Sequence, residues 1–222
     1  MSVAAVAHRH YLLPDTPYAM WVRDELADYL HLPKDGTRVE VIAGEIVVSP
    51  GPSLSHNLIV GDIQKSSAKA EFADPDFPWE CAHTTDLNLV RICDGYIPDL
   101  VVLRKDLADQ LRDAEVRHLL PHHIDLVVEV TSFSTAADDR QPGPKRLNST
   151  KWNGYAYTGI PYYLLIDRDP RLAKATLYRD PDVRAGTYRT LATWPFGETI
   201  HLPDLFNFNI PADKWTPWDS GA

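Results

Sequence analysis

The chain has 222 residues, of which 44% are hydrophobic and 24% charged, a composition typical of a globular domain with a buried core. Its formal net charge of -9 argues against a protein that coats nucleic acid, because such proteins are usually basic. The charge does not exclude an enzyme that meets phosphates through a metal ion, since such sites are built from carboxylates.

Apolar residues at helical spacing predict a short amphipathic helix over residues 17–32, ending before Pro33. Residues 37–53 predict a β-hairpin, because β-branched residues alternate on both sides of a two-residue Ala43-Gly44 turn. A second helix is predicted over residues 53–74. The candidates for its buried side are Leu54, Leu58, Ile59, Ile63 and Phe72.

The remainder of the chain alternates strand and helix patterns. We predict strands at 85–92, 96–103, 123–132 and 161–167, a helix or loop at 105–116, a helix at 150–159, and short strands at 175–180, 186–194 and 198–203. The aromatic residues Phe206, Phe208, Trp215 and Trp218 predict a tail that packs back on the body. This order favours a mixed sheet with helices packed on it, in an α/β or α+β domain.

Residues 17–212 are expected to form this domain, with 1–16 as an N-terminal extension and 213–222 as a C-terminal tail. No apolar run is long enough to span a bilayer, and the N-terminus lacks the pattern of a signal peptide. We therefore expect a cytoplasmic protein with no membrane partner. Two cysteines, Cys81 and Cys93, are too few for a disulfide framework, and we expect ordinary buried thiols.

Two carboxylates stand in apolar surroundings. Asp99 lies where a core strand begins, although aspartate is a poor strand residue, and Glu129 lies in the middle of a buried strand. Alternate residues of a strand share a face, so Asp99 faces the same way as Val101, and Glu129 the same way as Val127. The two acids are 129 − 99 = 30 positions apart. That is enough chain for a crossover, and neighbouring strands in register would bring the carboxylates together.

Converging buried carboxylates need a cation or a shared proton. Two carboxylates with waters or a carbonyl make an ordinary magnesium site that leaves room for a phosphate oxygen, where the metal activates a water. A lysine nearby, Lys151 or Lys145, would stabilise developing negative charge or orient the water. The alternative stays open that Asp99 caps a turn and Glu129 pairs with a buried arginine or tyrosine.

The order "IPDLVVL", "DLVVEVTSFST", an Asp-Asp pair, a lysine, a tyrosine and "GIPYYLLID" resembles the PD-(D/E)XK nuclease superfamily. It resembles more closely the bacterial Uma-two family of restriction-endonuclease-like proteins. "VEVIAGEIVVSPGPSLSHNLIV" is similar to that family's N-terminal hairpin and histidine-bearing helix start, and "GETIHLPDL" to its closing hairpin. The resemblance covers about residues 17 to 212 and implies a restriction endonuclease-like α/β fold.

The resemblance also implies a site in which Asp99 and Glu129 are ligands of Mg²⁺ or Mn²⁺. The superfamily's lysine normally stands two residues after the second acid, where this chain has Thr131. The family is similar in carrying a later lysine one helical turn before a tyrosine, and Lys151 fits that place. The stretch before it is longer than usual, which leaves Lys145 as a rival.

Two further residues match the family's pattern. His56, at a helix start, would orient a phosphate or the scissile group, and the alternative is a histidine bonded to the chain. Glu40, in the hairpin, would join the acidic cluster, and the alternative is a strand residue facing solvent. Asp138 and Asp139 are expected to be a solvated pair.

The resemblance implies a magnesium-dependent endonuclease that hydrolyses phosphodiester bonds of nucleic acid, with DNA as the expected substrate. It also implies a homodimer, because a duplex has two strands to cut. One rival is a metal-dependent hydrolase of a small phosphoester, which the acidic balance favours. The other is a binding or scaffold protein that kept the fold without catalysis.

Overall fold

A computed structural model describes residues 12–144, 146 and 149–219. The helices are α1 (Pro17–Val22), α2 (Leu26–Tyr29), α3 (Leu54–Ala73), α4 (Lys105–Asp113), α5 (Ala136–Asp139) and α6 (Lys151–Tyr157). The strands are β1 (Arg38–Ile42), β2 (Glu45–Ser49), β3 (Trp79–Ala82), β4 (Leu87–Leu89), β5 (Asp94–Tyr96), β6 (Leu100–Arg104), β7 (Leu126–Val130), β8 (Tyr162–Asp167), β9 (Lys174–Asp182), β10 (Thr187–Pro195), β11 (Ile200–His201) and β12 (Asn209–Ile210). Short 3-10 helices occupy Val90–Ile92, Pro121–His123 and Asp204–Phe206.

The central sheet has six strands in the order β10-β9-β8-β7-β6-β3. Its β7–β8 pair is parallel and its other pairs are antiparallel, so the sheet is mixed. A second sheet has the order β2-β1-β5-β4, and β11 pairs with β12. The structure confirms the predicted α/β fold with a mixed sheet flanked by helices, an N-terminal helical segment and hairpin, and short strands near the C-terminus.

Both faces of the central sheet are covered, which explains the continuous apolar runs of β7 and β8. One face packs against α3 and the C-terminal segment, through residues that include Val128, Leu164, Ile63, Phe206 and Trp215. The other face packs against α6, through residues that include Val127, Leu165, Trp152 and Tyr155. The tail prediction is confirmed for Phe206, Phe208 and Trp215, which are buried.

The predicted N-terminal helix is two short helices, α1 and α2. The chain between them turns at Asp24, whose φ of 56° is left-handed and cannot continue a helix. Aspartate tolerates this conformation better than most residues, because its short polar side chain can bond locally. The apolar spacing across residues 17–32 therefore belongs to two helices in succession, and the prediction of one continuous helix was wrong.

The buried face of α3 differs in part from the prediction. Ile59 and Ile63, four residues apart, are buried against the sheet, as predicted. Leu54, Leu58 and Phe72 are exposed, because they lie off this stripe or at the ends of the helix. Helix α3 thus has apolar residues on several faces, and only one of these faces contacts the sheet.

The predicted strand at 85–92 is shorter than expected, because β4 gives way to a 3-10 helix at Val90. Cys93 follows in a left-handed turn with φ 55° and is exposed, so the prediction that it is a buried thiol was wrong. Turns run over the surface, where their side chains meet solvent. Cys81, in β3, is partly buried. None of the helices in the described part of the chain has the length and hydropathy needed to cross a membrane.

Candidate active site

The two predicted carboxylates lie on neighbouring strands. Strands β6 and β7 pair with Leu100 opposite Val128, and extending this register by one pair places Asp99 opposite Glu129. The two strands are antiparallel, so the chain between them reverses direction. The crossover that the spacing of Asp99 and Glu129 had suggested does not occur. Both carboxylates line a cavity of about 590 Å³.

Asp99 is buried and fully hydrogen-bonded. Its Oδ1 accepts from the Arg38 guanidinium at 3.0 Å, while Oδ2 lies 3.0 Å from His56 Nε2 and accepts from the Val130 N–H at 2.9 Å. Burial opposes ionisation, but the hydrogen bond and charge of His56, with the charge of Lys151, lower the pKa of Asp99 to about 2. Asp99 is therefore an anion at neutral pH.

Glu129 has a different environment. Its Oε1 accepts from Lys151 Nζ at 3.2 Å and from the Tyr155 hydroxyl. Burial raises the pKa of Glu129 to about 7, although the charge of Lys151 opposes the rise. Lys151 and Tyr155 lie four residues apart on one face of α6, as predicted, and both reach the same oxygen.

The Lys151 ammonium lies among three buried carboxylates. Its Nζ is 2.8 Å from Glu40, 3.2 Å from Glu129 and 3.8 Å from Asp139. Burial opposes its charge, yet these carboxylates raise the pKa of Lys151 well above its usual value, and burial raises that of Asp139. One ammonium faces three acids, and such an excess of negative charge is relieved by protons or by a further cation.

Glu40 and His56 both reach the predicted site. Glu40 is buried in β1, where its Oε1 also accepts from the Ile97 N–H at 2.7 Å, so the alternative of a solvent-facing residue was wrong. His56 is buried in the first turn of α3, and its backbone N–H donates to Ser53 Oγ at 3.3 Å. Its Nδ1 has no hydrogen-bond partner among the described residues.

The structure adds residues that sequence reasoning missed. Asp138 and Asp139, expected to be solvated, both line the cavity, and Asp139 is 4% exposed. Helix α5 carries them, and the Tyr163 hydroxyl fixes it by donating to the Asp139 carbonyl at 2.7 Å. The sequence did carry a signal for them, because the Asp-Asp pair lies within the order of motifs that resembles the Uma-two family. Arg38 and Arg168 also line the cavity, while Lys145 lies outside the described residues.

Thr131 stands where the superfamily's lysine is usual. It is fully buried, its hydroxyl accepts from the Arg168 N–H at 2.9 Å, and it donates to Asp167 at 3.4 Å. The threonine thus joins the ends of the parallel strands β7 and β8, while Lys151 brings the ammonium from α6.

Asp99, Glu129, Glu40 and Asp139 offer carboxylate oxygens in one cavity, and such oxygens are the ligands that hard divalent cations prefer. These oxygens are held by Lys151 and by the Asp99 partners. No three of the cavity acids bring ligand atoms within 4.8 Å of one another, and among the described residues only Asp24, Asp86 and His118 do so. That cluster lies outside the cavity lining and is a useful comparison for metal binding.

A family model described as Uma2, putative restriction endonuclease, matches residues 26–213. The chain belongs to the Uma2 family. A solved structure that it resembles is the crystal structure of a putative nuclease belonging to DUF820 from Anabaena variabilis ATCC 29413, with a TM-score of 0.55. The two are 17% identical over 81% of this chain and 89% of that chain, and at this identity the likeness shows the fold. No curated protein matches the chain.

Proposed function

We propose that this Uma2 protein is a Mg²⁺- or Mn²⁺-dependent endonuclease that hydrolyses phosphodiester bonds of nucleic acid, with DNA as the substrate. One observation carries the proposal. Beside the anionic Asp99, a single ammonium faces three buried carboxylates in an open cavity. Stability alone gives little reason to bury such an excess of charge, whereas binding of a divalent cation gives a direct one.

In this proposal Asp99 and Glu129 hold the ion through their carboxylate oxygens. A bound divalent ion supplies polarisation of the phosphodiester and a water of lowered pKa. Lys151 stays beside Glu129 and stabilises negative charge on the phosphate or orients the attacking water. Glu40 positions Lys151 through the 2.8 Å contact.

His56 is a supporting residue in this proposal. Its 3.0 Å contact holds Asp99 in place. Its position in the first turn of α3, on the cavity wall, lets the helix start face a phosphate. Tyr155 supports Glu129 in the same way, through its hydroxyl.

A second candidate is a binding or scaffold protein without catalysis. The observation that favours it is that each central carboxylate already has protein partners, Arg38 and His56 for Asp99, and Lys151 and Tyr155 for Glu129. A third, the hydrolase of a small phosphoester, is favoured by the net charge of -9, which disfavours a long contact with nucleic acid.

Cleavage assays separate these candidates. Supercoiled plasmid, linear duplex, single-stranded DNA and RNA are incubated with Mg²⁺, Mn²⁺ or EDTA, with p-nitrophenyl phosphate esters in parallel. We expect metal-dependent cleavage that Lys151→Met slows by about 100-fold or more and that the control Lys105→Met leaves within twofold. Lys105 is a surface lysine paired with Glu71. Hydrolysis of small esters alone supports the third candidate, and no hydrolysis of any substrate supports the scaffold.

We also propose that the protein acts as a homodimer, because two sites can cut both strands of a duplex. Light scattering measures the mass in solution, and a monomer over the concentrations used for cleavage would contradict this part.

Circular dichroism of the Lys151→Met protein separates a catalytic loss from a loss of fold.

A further inference from the structure

A buried arginine lines the cavity without a carboxylate partner. Arg168 follows β8 and is 5% exposed. Its Nε donates to the Thr216 carbonyl at 3.2 Å, and its Nη1 lies 3.5 Å from Ser53 Oγ. Among the described residues no acid forms an ion pair with it, whereas Arg140 in the same region binds Asp167 through two 2.7 Å hydrogen bonds.

A buried charge is costly unless it is paired. Burial lowers the pKa of Arg168, yet an arginine stays protonated at neutral pH. The planar guanidinium suits the oxygens of a phosphate, to which it can donate two parallel hydrogen bonds. An unpaired buried cation on the wall of a cavity is thus suited to an anionic ligand.

The N-terminus of α3 meets Arg168 at Ser53. This helix has 20 residues, and the Ser53 side chain caps only one N–H of its first turn, that of His56. The N–H groups of Leu54 and Ser55 have no acceptor within the helix, and Ser53 and Ser55 line the cavity. A helix N-terminus with free N–H groups favours an anion.

The same helical turn connects Arg168 to the proposed catalytic residues. His56, three residues after Ser53, contacts Asp99 at 3.0 Å. A helical turn rises about 5.4 Å, so Arg168 lies on the stretch of wall that adjoins Asp99. A phosphate bound there would be a neighbour of one held at the carboxylates.

An aromatic pair stands beside Arg168 at the same cavity. Phe133 is 64% exposed, and its ring centroid lies 6.1 Å from that of Trp218 at an interplanar angle of 89°. Both residues line the cavity. The Trp218 backbone N–H donates to the Arg168 carbonyl at 3.0 Å, which ties the ring pair to the arginine. Exposed aromatic faces of this kind stack on nucleobases.

We infer that Arg168, the first turn of α3 and the Phe133–Trp218 pair form a subsite for the nucleotide next to the scissile phosphodiester. The arginine and the helix N–H groups bind its phosphate, and the aromatic pair stacks on its base. Because a base must be unpaired to stack on a side chain, the substrate class is single-stranded or locally unpaired nucleic acid, and a duplex cut by the proposed dimer is one that is unpaired at the cleavage site. The inference rests on the proposed function, in which the neighbouring carboxylate site cleaves the phosphodiester.

Binding without turnover tests the phosphate half. Anisotropy of a labelled, 5′-phosphorylated single-stranded DNA is measured in EDTA for wild type, Arg168→Gln and the control Arg171→Gln. Arg171 is a surface arginine paired with Asp169 at 2.7 Å. We expect Arg168→Gln to weaken binding at least tenfold and to make the slope of log affinity against log salt shallower by about 0.7. Arg171→Gln should stay within twofold, and equal affinities of the two variants would overturn the subsite.

The variant Arg168→Lys covers the case in which Arg168→Gln does not fold. Lysine keeps the charge and loses the two-pronged donor. We therefore expect Arg168→Lys to bind the DNA at least threefold more weakly than wild type, but more tightly than a variant with an uncharged residue at this position. Wild-type affinity in a folded Arg168→Lys protein would contradict a two-pronged phosphate contact at this residue.

Phe133→Ser tests the base half, with Phe72→Ser as its control. Phe72 is 94% exposed on α3 and is not part of the cavity lining. We expect Phe133→Ser to bind single strands about tenfold more weakly than wild type, and Phe72→Ser to bind them as tightly as wild type. The wild-type protein should bind a fully paired duplex more weakly than the corresponding single strand. A duplex bound as tightly as the single strand would overturn the substrate class.

Failure of this inference differs from failure of the proposed function. If wild type cleaves nucleic acid and Arg168→Gln binds and cleaves like it, the subsite is wrong and the nuclease stands. If nothing is cleaved but metal-free binding still depends on Arg168 and Phe133, the subsite stands and catalysis is wrong.

Discussion

Replacing Glu129 with glutamine should stabilise the protein at alkaline pH while removing a proposed metal ligand. Both hydrogen bonds to Glu129 end on Oε1, from Lys151 and from Tyr155. An amide oxygen can accept both, so the substitution removes the charge and keeps the contacts. A buried residue whose charge opposes folding is expected where function, not stability, requires it.

The magnitude follows from the pKa. Burial raises the pKa of Glu129 from 4.5 to about 7, and each unit corresponds to about 1.4 kcal/mol. Because the folded-state pKa is the higher one, the stability of the protonated state is complete below pH 4.5 and is lost as pH rises through 7. The ionised carboxylate then costs about 3 kcal/mol of unfolding free energy.

Guanidinium unfolding in EDTA, followed from pH 5.5 to 8.5, measures the effect. The unfolding free energy of Glu129→Gln should exceed that of wild type by about 1 kcal/mol at pH 5.5 and by about 3 kcal/mol at pH 8.5. Glu71→Gln, at a surface residue paired with Lys105, should change it by about 0.5 kcal/mol or less at every pH. A Glu129→Gln protein less stable than wild type at pH 8.5 would show that the buried charge of Glu129 does not oppose folding.

Two further predictions concern packing and thiol chemistry. Gly95→Ala places a methyl group 2.2 Å from the Trp21 indole and should lower the unfolding free energy by about 1–3 kcal/mol in guanidinium unfolding. In native protein at pH 8, Cys93 should react rapidly with a thiol reagent because it is exposed. Cys81 should react only on unfolding, since burial raises the pKa of its thiol to about 11.

Each has a control in the same chain. Gly61→Ala, in α3 with no atom within 4 Å of the added methyl, should stabilise the helix by about 0.5–1 kcal/mol. A Gly95→Ala protein as stable as Gly61→Ala would contradict the packing argument. Cys93→Ser should abolish the rapid thiol phase, and two rapid equivalents in the wild type would show Cys81 to be accessible.

Local patterns predicted much of the fold and part of the site. The Ala43-Gly44 turn fixed the hairpin, since glycine supplies the unusual backbone angle. The apolar run around Glu129 predicted a buried strand. The four-residue spacing of Lys151 and Tyr155 placed both on one helix face, and the structure brings both to Glu129.

Contacts between distant segments left no such signal. Arg38 reaches Asp99 across 61 positions, and its strand β1 pairs with β5, which lies shortly before Asp99 in the chain. Arg168 is held by a C-terminal segment, through the hydrogen bond from its Nε to the Thr216 carbonyl. The break at Asp24 is a backbone conformation that the apolar spacing does not report. Such features depend on how elements meet, which periodicity within one element does not encode.

Metal titration decides whether Asp99 and Glu129 hold a divalent cation. Mg²⁺ and Mn²⁺ are titrated by calorimetry into wild type, into Asp99→Asn/Glu129→Gln, and into Asp24→Asn/Asp86→Asn, which removes the same charge at the other acidic cluster. We expect saturable binding in wild type and in the Asp24/Asp86 variant, and loss of this binding in the Asp99/Glu129 variant. Binding retained by the Asp99/Glu129 variant, or no binding to wild type at millimolar ion, would contradict this expectation.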